Sequence, residues 1–313
     1  MSAEGSTKAV VAALLANTGI AITKFLAFLL TGASSMLAEA IHSVADSGNQ
    51  ALLLLGGRRA KREATPEHPF GYGRERYIYS FIVAIVLFSV GGLFALYEAY
   101  HKFHEIAAGH PNELLEGRWW WVAVVVLLVA IVMEGFSFRT AVVEAGRVRG
   151  SSSWIGFIRR AKSPELPVIL LEDFAALIGL VFALLGVSVS KLTDNGYWDV
   201  AGTTGIGLLL VAVAVVLAIE TKSLLIGEAA SPAAQRRIRE ALEGTAGLER
   251  IIHMKTLHLG PEELLVAVKV GVARSDDAGE VARAIDTAER AIRDAEETAT
   301  TIYIEPDIFR PQA

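Results

Sequence analysis

Hydrophobic and polar positions divide the chain into two regimes. Up to about residue 224, long apolar runs alternate with short charged stretches; beyond Gly227 the pattern becomes mixed and charged, with short periods. Six apolar runs, at roughly 9–30, 36–57, 77–100, 119–143, 167–190 and 200–224, each reach the about 20 residues a helix needs to cross some 30 Å of hydrocarbon. After them, Ser231 reads as the N-cap of a helix running from Pro232 to about Glu243, with proline at its first position. "RIIHMKTLHLG" and "ELLVAVKVGVA" alternate apolar with polar residues, as half-buried strands do. "GEVARAIDTAERAIRDAE" has the 3.6 period of an amphipathic helix, and "TTIYIEPDI" reads as a last strand. The pattern predicts an α-helical membrane domain of six transmembrane helices over 1–227, then a small α/β domain over 228–313 in the order α-β-β-α-β.

One apolar run breaks the rule. "AEAIHSVADSGNQ", from Ala38, puts Glu39, His42, Asp46 and Asn49 at offsets of three, four and three, a polar stripe on one face of a helix. Glu134 interrupts the fourth run, and Glu172 and Asp173 the fifth. A charged side chain at the bilayer centre costs on the order of 2.5–3.5 kcal/mol on insertion scales, so a set of them needs compensation. Lys24 is one cation against several acids. A divalent metal ion balances them better. His42 and Asp46, four apart, project an imidazole nitrogen and a carboxylate oxygen from one face, and a carboxylate from another helix can close round the same ion. The imidazole favours zinc, cobalt or iron over magnesium or calcium. The plainer alternative has His42 and Asp46 hydrogen-bonded to each other as packing glue, which leaves the remaining acids uncompensated. Metal needs these groups deprotonated, so metal and protons compete for them. In a bundle opening alternately to the two membrane faces, that competition is metal/proton antiport.

Composition agrees with a membrane chain, at 53% hydrophobic residues. The net charge of −5, without a basic arm or patch, argues against nucleic acid as a partner. The absence of cysteine removes disulfides and thiolate ligands. The polar start lacks the basic region and short apolar core of a cleavable signal peptide. One loop carries Arg58, Arg59, Lys61, Arg62, Arg74 and Arg76, and another Arg147, Arg149, Arg159, Arg160 and Lys162, with Arg139 at the preceding span's end; the opposite loops offer Lys102, Arg118 and Lys191. This bias predicts cytoplasmic N- and C-termini and a cytoplasmic C-terminal domain. Trp119, Trp120, Trp121, Tyr197 and Trp198 then form an outer interfacial belt. The Ala- and Val-rich composition suggests a bacterial plasma membrane.

On these features the chain resembles the cation diffusion facilitator family over essentially its whole length: the six-span plan, "AEAIHSVADSGNQ", "HPFGYGRER" at His68–Arg76 and "VILLEDFAALIGL" in the fifth span. It resembles most the branch whose fifth helix carries Glu-Asp, which includes a vertebrate organellar zinc transporter. The resemblance implies efflux of a divalent transition metal from the cytoplasm by proton antiport, usually of zinc, with manganese, cobalt or iron open, and no resident cofactor. It implies two metal ligands four residues apart in each of spans two and five. His42 and Asp46 match the first pair; Asp173 matches the second ligand of span five, with Gly179 in the place of a family glycine. The other span-five position falls on Ile169, which binds no metal, so Glu172, Glu134 or water fills the fourth place. Glu172 lies about 100° round the helix from Asp173. Glu39, Glu134 and Asn49 are candidates for supporting or proton-coupling roles.

The resemblance also implies a homodimer paired through the C-terminal domain. Some relatives hold a second metal in the loop after span two, where this chain has His68 but Tyr72 in the partner position, so the loop reads as structural. His101 and His104, with Glu98 and Glu105, sit at helical spacing near the outer end of span three, more in the manner of a solvated helix end than of a metal trap. His253, His258, Glu305 and Asp307 are an incomplete match to the metal cluster of relatives' C-terminal domains. The departure at Ile169 keeps an alternative open: a non-transporting membrane metal sensor or scaffold signalling through the C-terminal domain. A membrane metal hydrolase with Glu39 or Glu172 as base lacks any surrounding protease-like motif; the expected class is a secondary transporter, not an enzyme.

Overall fold

A computed structural model describes residues 18–110 and 113–308. Its helices are α1 (Thr18–Thr31), α2 (Ser34–Ala60), α3 (Glu75–Ala107), a short α4 (Glu113–Glu116), α5 (Trp120–Arg149), α6 (Trp154–Arg160), α7 (Glu165–Thr193) and α8 (Tyr197–Ile226). Then come α9 (Pro232–Glu243), β1 (Arg250–Gly260), β2 (Glu263–Gly271), α10 (Ala278–Ala295) and β3 (Thr301–Asp307). The chain divides into two compact units. One holds the described residues up to Gly56 together with Tyr79–Arg159 and Pro164–Thr221; the other holds Gly57–Ile78, Arg160–Ser163 and the chain from Lys222.

Six spans are expected from the sequence; among the described residues four helices, α3, α5, α7 and α8, are long and apolar enough to cross a membrane. The first expected span is described only from Thr18. α2, at 27 residues, is about 40 Å long, but the polar stripe that marks it out also lowers its hydrophobicity. The expectation of six spans is therefore met in four. Phe136, Ile219 and Leu185 stand 69%, 60% and 55% exposed on these helices, apolar side chains suited to lipid rather than water. Inward, small residues let the helices approach. A Cβ on Gly92 of α3 would lie 2.7 Å from Val211 of α8, and one on Gly202 of α8 would lie 2.7 Å from the Phe182 carbonyl oxygen of α7. α3 is π-helical over Leu87–Leu93, a segment containing Gly91 and Gly92.

The second unit contains the expected α-β-β-α-β order. β1 pairs antiparallel with β2 and β2 parallel with β3, giving a sheet in the order β1-β2-β3. Leu264, Val266, Val268 and Val270 alternate along β2 into a core with Ile238 and Leu242 of α9 and Ala288 and Ile292 of α10. Ser231 caps α9, accepting from the Ala234 N–H at 3.2 Å. α10 opens with a reciprocal capping box between Asp277 and Glu280, which the sequence reading passed over. The "HPFGYGRER" loop belongs to this unit. Gly73 lies so close to the β1–β2 turn that a Cβ there would meet the Leu259 carbonyl oxygen at 3.0 Å and the Glu263 carboxylate at 2.5 Å.

Candidate metal centre

The helical period of α2 presents its polar residues to neighbouring helices, and each of them is met differently. Glu39, His42 and Asn49 are buried. Near the start of the helix the fully buried Glu39 receives the Lys24 ammonium of α1 at 2.9 Å, and Ser43 receives it at 2.8 Å. One turn on, His42 Nδ1 lies 3.4 Å from Asp46 Oδ1. That contact has the range of an ion pair but not the alignment of a hydrogen bond, so both ring nitrogens of His42 and this Asp46 oxygen are left without hydrogen-bond partners. The π-helical stretch of α3 passes beside the ring: a Cβ on Gly91 would stand 3.9 Å from His42 Nδ1. Such π turns interrupt helices mostly at functional positions.

α7 supplies the facing carboxylates. Glu172 accepts from Asn49 Nδ2 at 2.6 Å and comes within hydrogen-bonding range of the Asp46 carboxyl. Asp173, about 100° further round the same helix, accepts instead from Ser137 of α5 at 2.9 Å. The structure thus brings together His42, Asp46, Glu172 and Asn49, and turns Asp173 to the α5 side. Glu134, one turn before Ser137 on α5, lies within the electrostatic reach of Asp173, Glu39, Glu172 and Lys24. Carboxyl groups gathered on facing apolar helices are neutralised by protons or by a cation. Imidazole nitrogen plus carboxylate oxygen is a donor set suited to zinc and its neighbours in the transition series. The donors stand side by side: among the described residues no three His, Asp or Glu side chains close round one point.

Two features of this region are absent from the sequence reading. Asp199, at the start of α8, accepts from the backbone N–H and hydroxyl of Ser34 at 2.8 and 2.9 Å, and also from the Ser35 hydroxyl. Its own N–H donates to Ser190 of α7 at 2.8 Å. It caps the start of α2 from another helix; an acid opening an apolar run was the available signal, and it reads equally well as a helix-dipole partner. The second is the π turn, for which "GG" at Gly91–Gly92 was the only hint.

The other sequence candidates remain apart. His68 stands edge-on to the Tyr72 ring, 4.7 Å between centroids. His101 faces Glu105 at 3.8 Å, while His104 bonds the Tyr100 carbonyl oxygen at 2.9 Å and packs on the Tyr100 ring. Glu305 and Asp307 both hold the Lys269 ammonium, at 3.0 and 2.9 Å. His258 is buried with Nδ1 3.4 Å from the Gly260 carbonyl oxygen.

The family model described as the cation efflux transmembrane domain matches residues 10–226. The proton-coupled zinc antiporter SLC30A9, mitochondrial, of Xenopus laevis is 32% identical over 273 residues, which is 86% of this chain and 47% of that protein. Its Homo sapiens counterpart is 32% identical over 260 residues, 82% of this chain and 44% of that protein. The chain therefore spans about half the length of the curated relatives it matches. Among solved structures, the isolated MamM C-terminal domain aligns with 25% of this chain and 96% of its own length, at 18% identity and a TM-score of 0.24. With the family model matched along all but the edges of the helical part, the chain belongs to the cation efflux, or cation diffusion facilitator, family.

Proposed function

We propose that this chain exchanges a divalent transition metal, zinc first, for protons across a membrane, and so moves metal out of the cytoplasm. The observation that carries the reading is the pair of unpartnered groups on α2, the His42 ring and an Asp46 oxygen, with Glu172 of α7 tied to the same helix through Asn49. Buried carboxylates on facing helices alternate between two neutral arrangements, one with shared protons and one with a divalent ion. His42, Asp46 and Glu172 take the ion, with Asp173 joining by a rotation of its side chain away from Ser137. Asn49 orients Glu172, and Glu39 and Glu134 shape the surrounding charge. Loading displaces protons; protonation from the opposite face displaces metal. A membrane potential adds about 2.3 kcal/mol per 100 mV for each net charge moved. The vertebrate relatives, named as proton-coupled zinc antiporters, support zinc as cargo and protons as the coupled ion.

The proposed arrangement has cytoplasmic termini, from the positive-inside bias, and a homodimer paired through the C-terminal unit, from the family resemblance. A bacterial plasma membrane, expected from composition, gains no support from relatives named as mitochondrial. The test is zinc entry into proteoliposomes under an imposed pH gradient. Entry is expected with wild-type protein and a fall to the level of empty liposomes with Asp46→Ala. Zinc binding without movement favours the sensor reading, for which the open arrangement of the donors is the supporting observation; absence of zinc binding at every pH ends both.

A further inference from the structure

Lys24 is the single Lys or Arg that is buried among the described residues. From α1 it reaches the polar stripe of α2, with its ammonium bonded to Glu39 Oε2 and Ser43 Oγ. Glu39 precedes His42 by three residues, so the two side chains are neighbours, roughly 5–6 Å apart at Cβ. The second Glu39 oxygen, Oε1, has no hydrogen-bond partner and faces α7, where a Cβ on Gly179 would stand 2.8 Å from it. Glu39 therefore carries one oxygen held by a cation and one left open, one turn from the candidate ligands. The ammonium's field acts on His42, Asp46 and Glu134. Joining two helices does not require this. A buried ion pair loses the hydration of both charges, and an apolar pair of equal volume joins helices at least as well.

We propose that Lys24 is a tethered counter-ion that cancels Glu39, so that the divalent cargo binds its neighbouring ligands loosely enough to leave again. The inference rests on the transport reading above and adds to it the setting of affinity. With the pair intact, Glu39 contributes no net charge beside the ion. Removing the ammonium alone exposes a carboxylate to the cargo; removing the carboxylate alone exposes an ammonium. A unit charge about 10 Å from a divalent ion is worth a few hundredfold in affinity at an effective dielectric near 20. The two single substitutions must then move affinity in opposite directions, which a structural role does not do.

Zinc titration of the full-length protein in detergent and zinc flux in proteoliposomes read this out. Lys24→Gln is expected to bind zinc about a hundredfold or more tighter, with KM and kcat both lower because release slows. Glu39→Gln is expected to bind zinc weaker by a similar factor. The double variant returns to within about threefold of wild type, and Lys24→Arg stays there. Should Lys24→Gln not fold, the Glu39→Gln arm decides: weaker binding at an unchanged melting temperature supports the proposal. Losses of the same sign in both single variants, or an unchanged affinity in either, overturn it. Wild-type protein that binds no zinc overturns the transport reading and this inference together, whereas wild-type flux with either of those results sinks the inference alone.

Discussion

Glu172 and Asp173 are adjacent in the chain and answer to different neighbours. Glu172 meets Asn49 and Asp46 on α2, and Asp173 meets Ser137 on α5. Family spacing singled out Asp173 and left Glu172 a candidate for the fourth place; in the structure Glu172 is tied to Asn49 of α2. Glu172→Gln is therefore expected to weaken zinc binding by about tenfold or more, and Asp173→Asn by less, because Asp173 must give up Ser137 to reach the ion. Zinc titration of each variant checks the order; equal losses would show that leaving Ser137 costs Asp173 nothing. The stripe of Glu39, His42, Asp46 and Asn49 was legible beforehand because helical period is a local property, visible within a dozen residues. What each member touches was not legible. Lys24 was a cation of unassigned partner until the fold set it against Glu39, and Ser137 carried no mark at all.

Helices show the same split between their extent and their fastening. The ends of α7 and α8 follow closely from the apolar runs, and Ser231 announced α9 through a cap three residues long. The start of α2 is fastened from a distance, by Asp199 of α8. Asp199→Ala leaves the Ser34 N–H and two hydroxyls without their buried acceptor, at a cost of about 1–3 kcal/mol. A thermal melt in detergent should show a drop of several degrees, with Asp199→Asn recovering part of it through its remaining carbonyl oxygen. A melt unchanged in Asp199→Ala would mean that α2 is held by packing alone. The π turn of α3 belongs to this scale too. Its glycines were visible, but their reason, the approach of α8 at Gly92 and of His42 at Gly91, is a matter of neighbours.

For the molecule as a whole, the change of composition near Gly227 suggests two parts, and the second compact unit takes in Gly57–Ile78 and Arg160–Ser163 together with the chain from Lys222. His258 makes that unit sensitive to acid. Burial, with the Lys162 ammonium nearby, pushes its imidazole below the ordinary value of 6.5. The folded state then holds fewer protons than the unfolded one, so this contribution to stability is full above the ordinary value and is lost as pH falls below it. Amide protection factors along β1 in the full-length protein, corrected for the intrinsic slowing of exchange in acid, should fall on the acid side of that value, and His258→Gln should flatten the dependence. Exchange equally acid-sensitive in His258→Gln would assign the effect to other groups.

By itself the sequence determined that the chain is a membrane protein with a small α/β domain, and that one apolar helix carries a polar stripe. Hydrophobic length, helical period and strand alternation are written in consecutive residues. Only the tertiary structure decided which carboxylate stands beside Asp46, what neutralises Glu39 and what caps α2. Those contacts join residues 123, 15 and 165 positions apart for Asn49–Glu172, Lys24–Glu39 and Ser34–Asp199. No local pattern encodes such pairings, because each depends on how far one helix is rotated and shifted against the next.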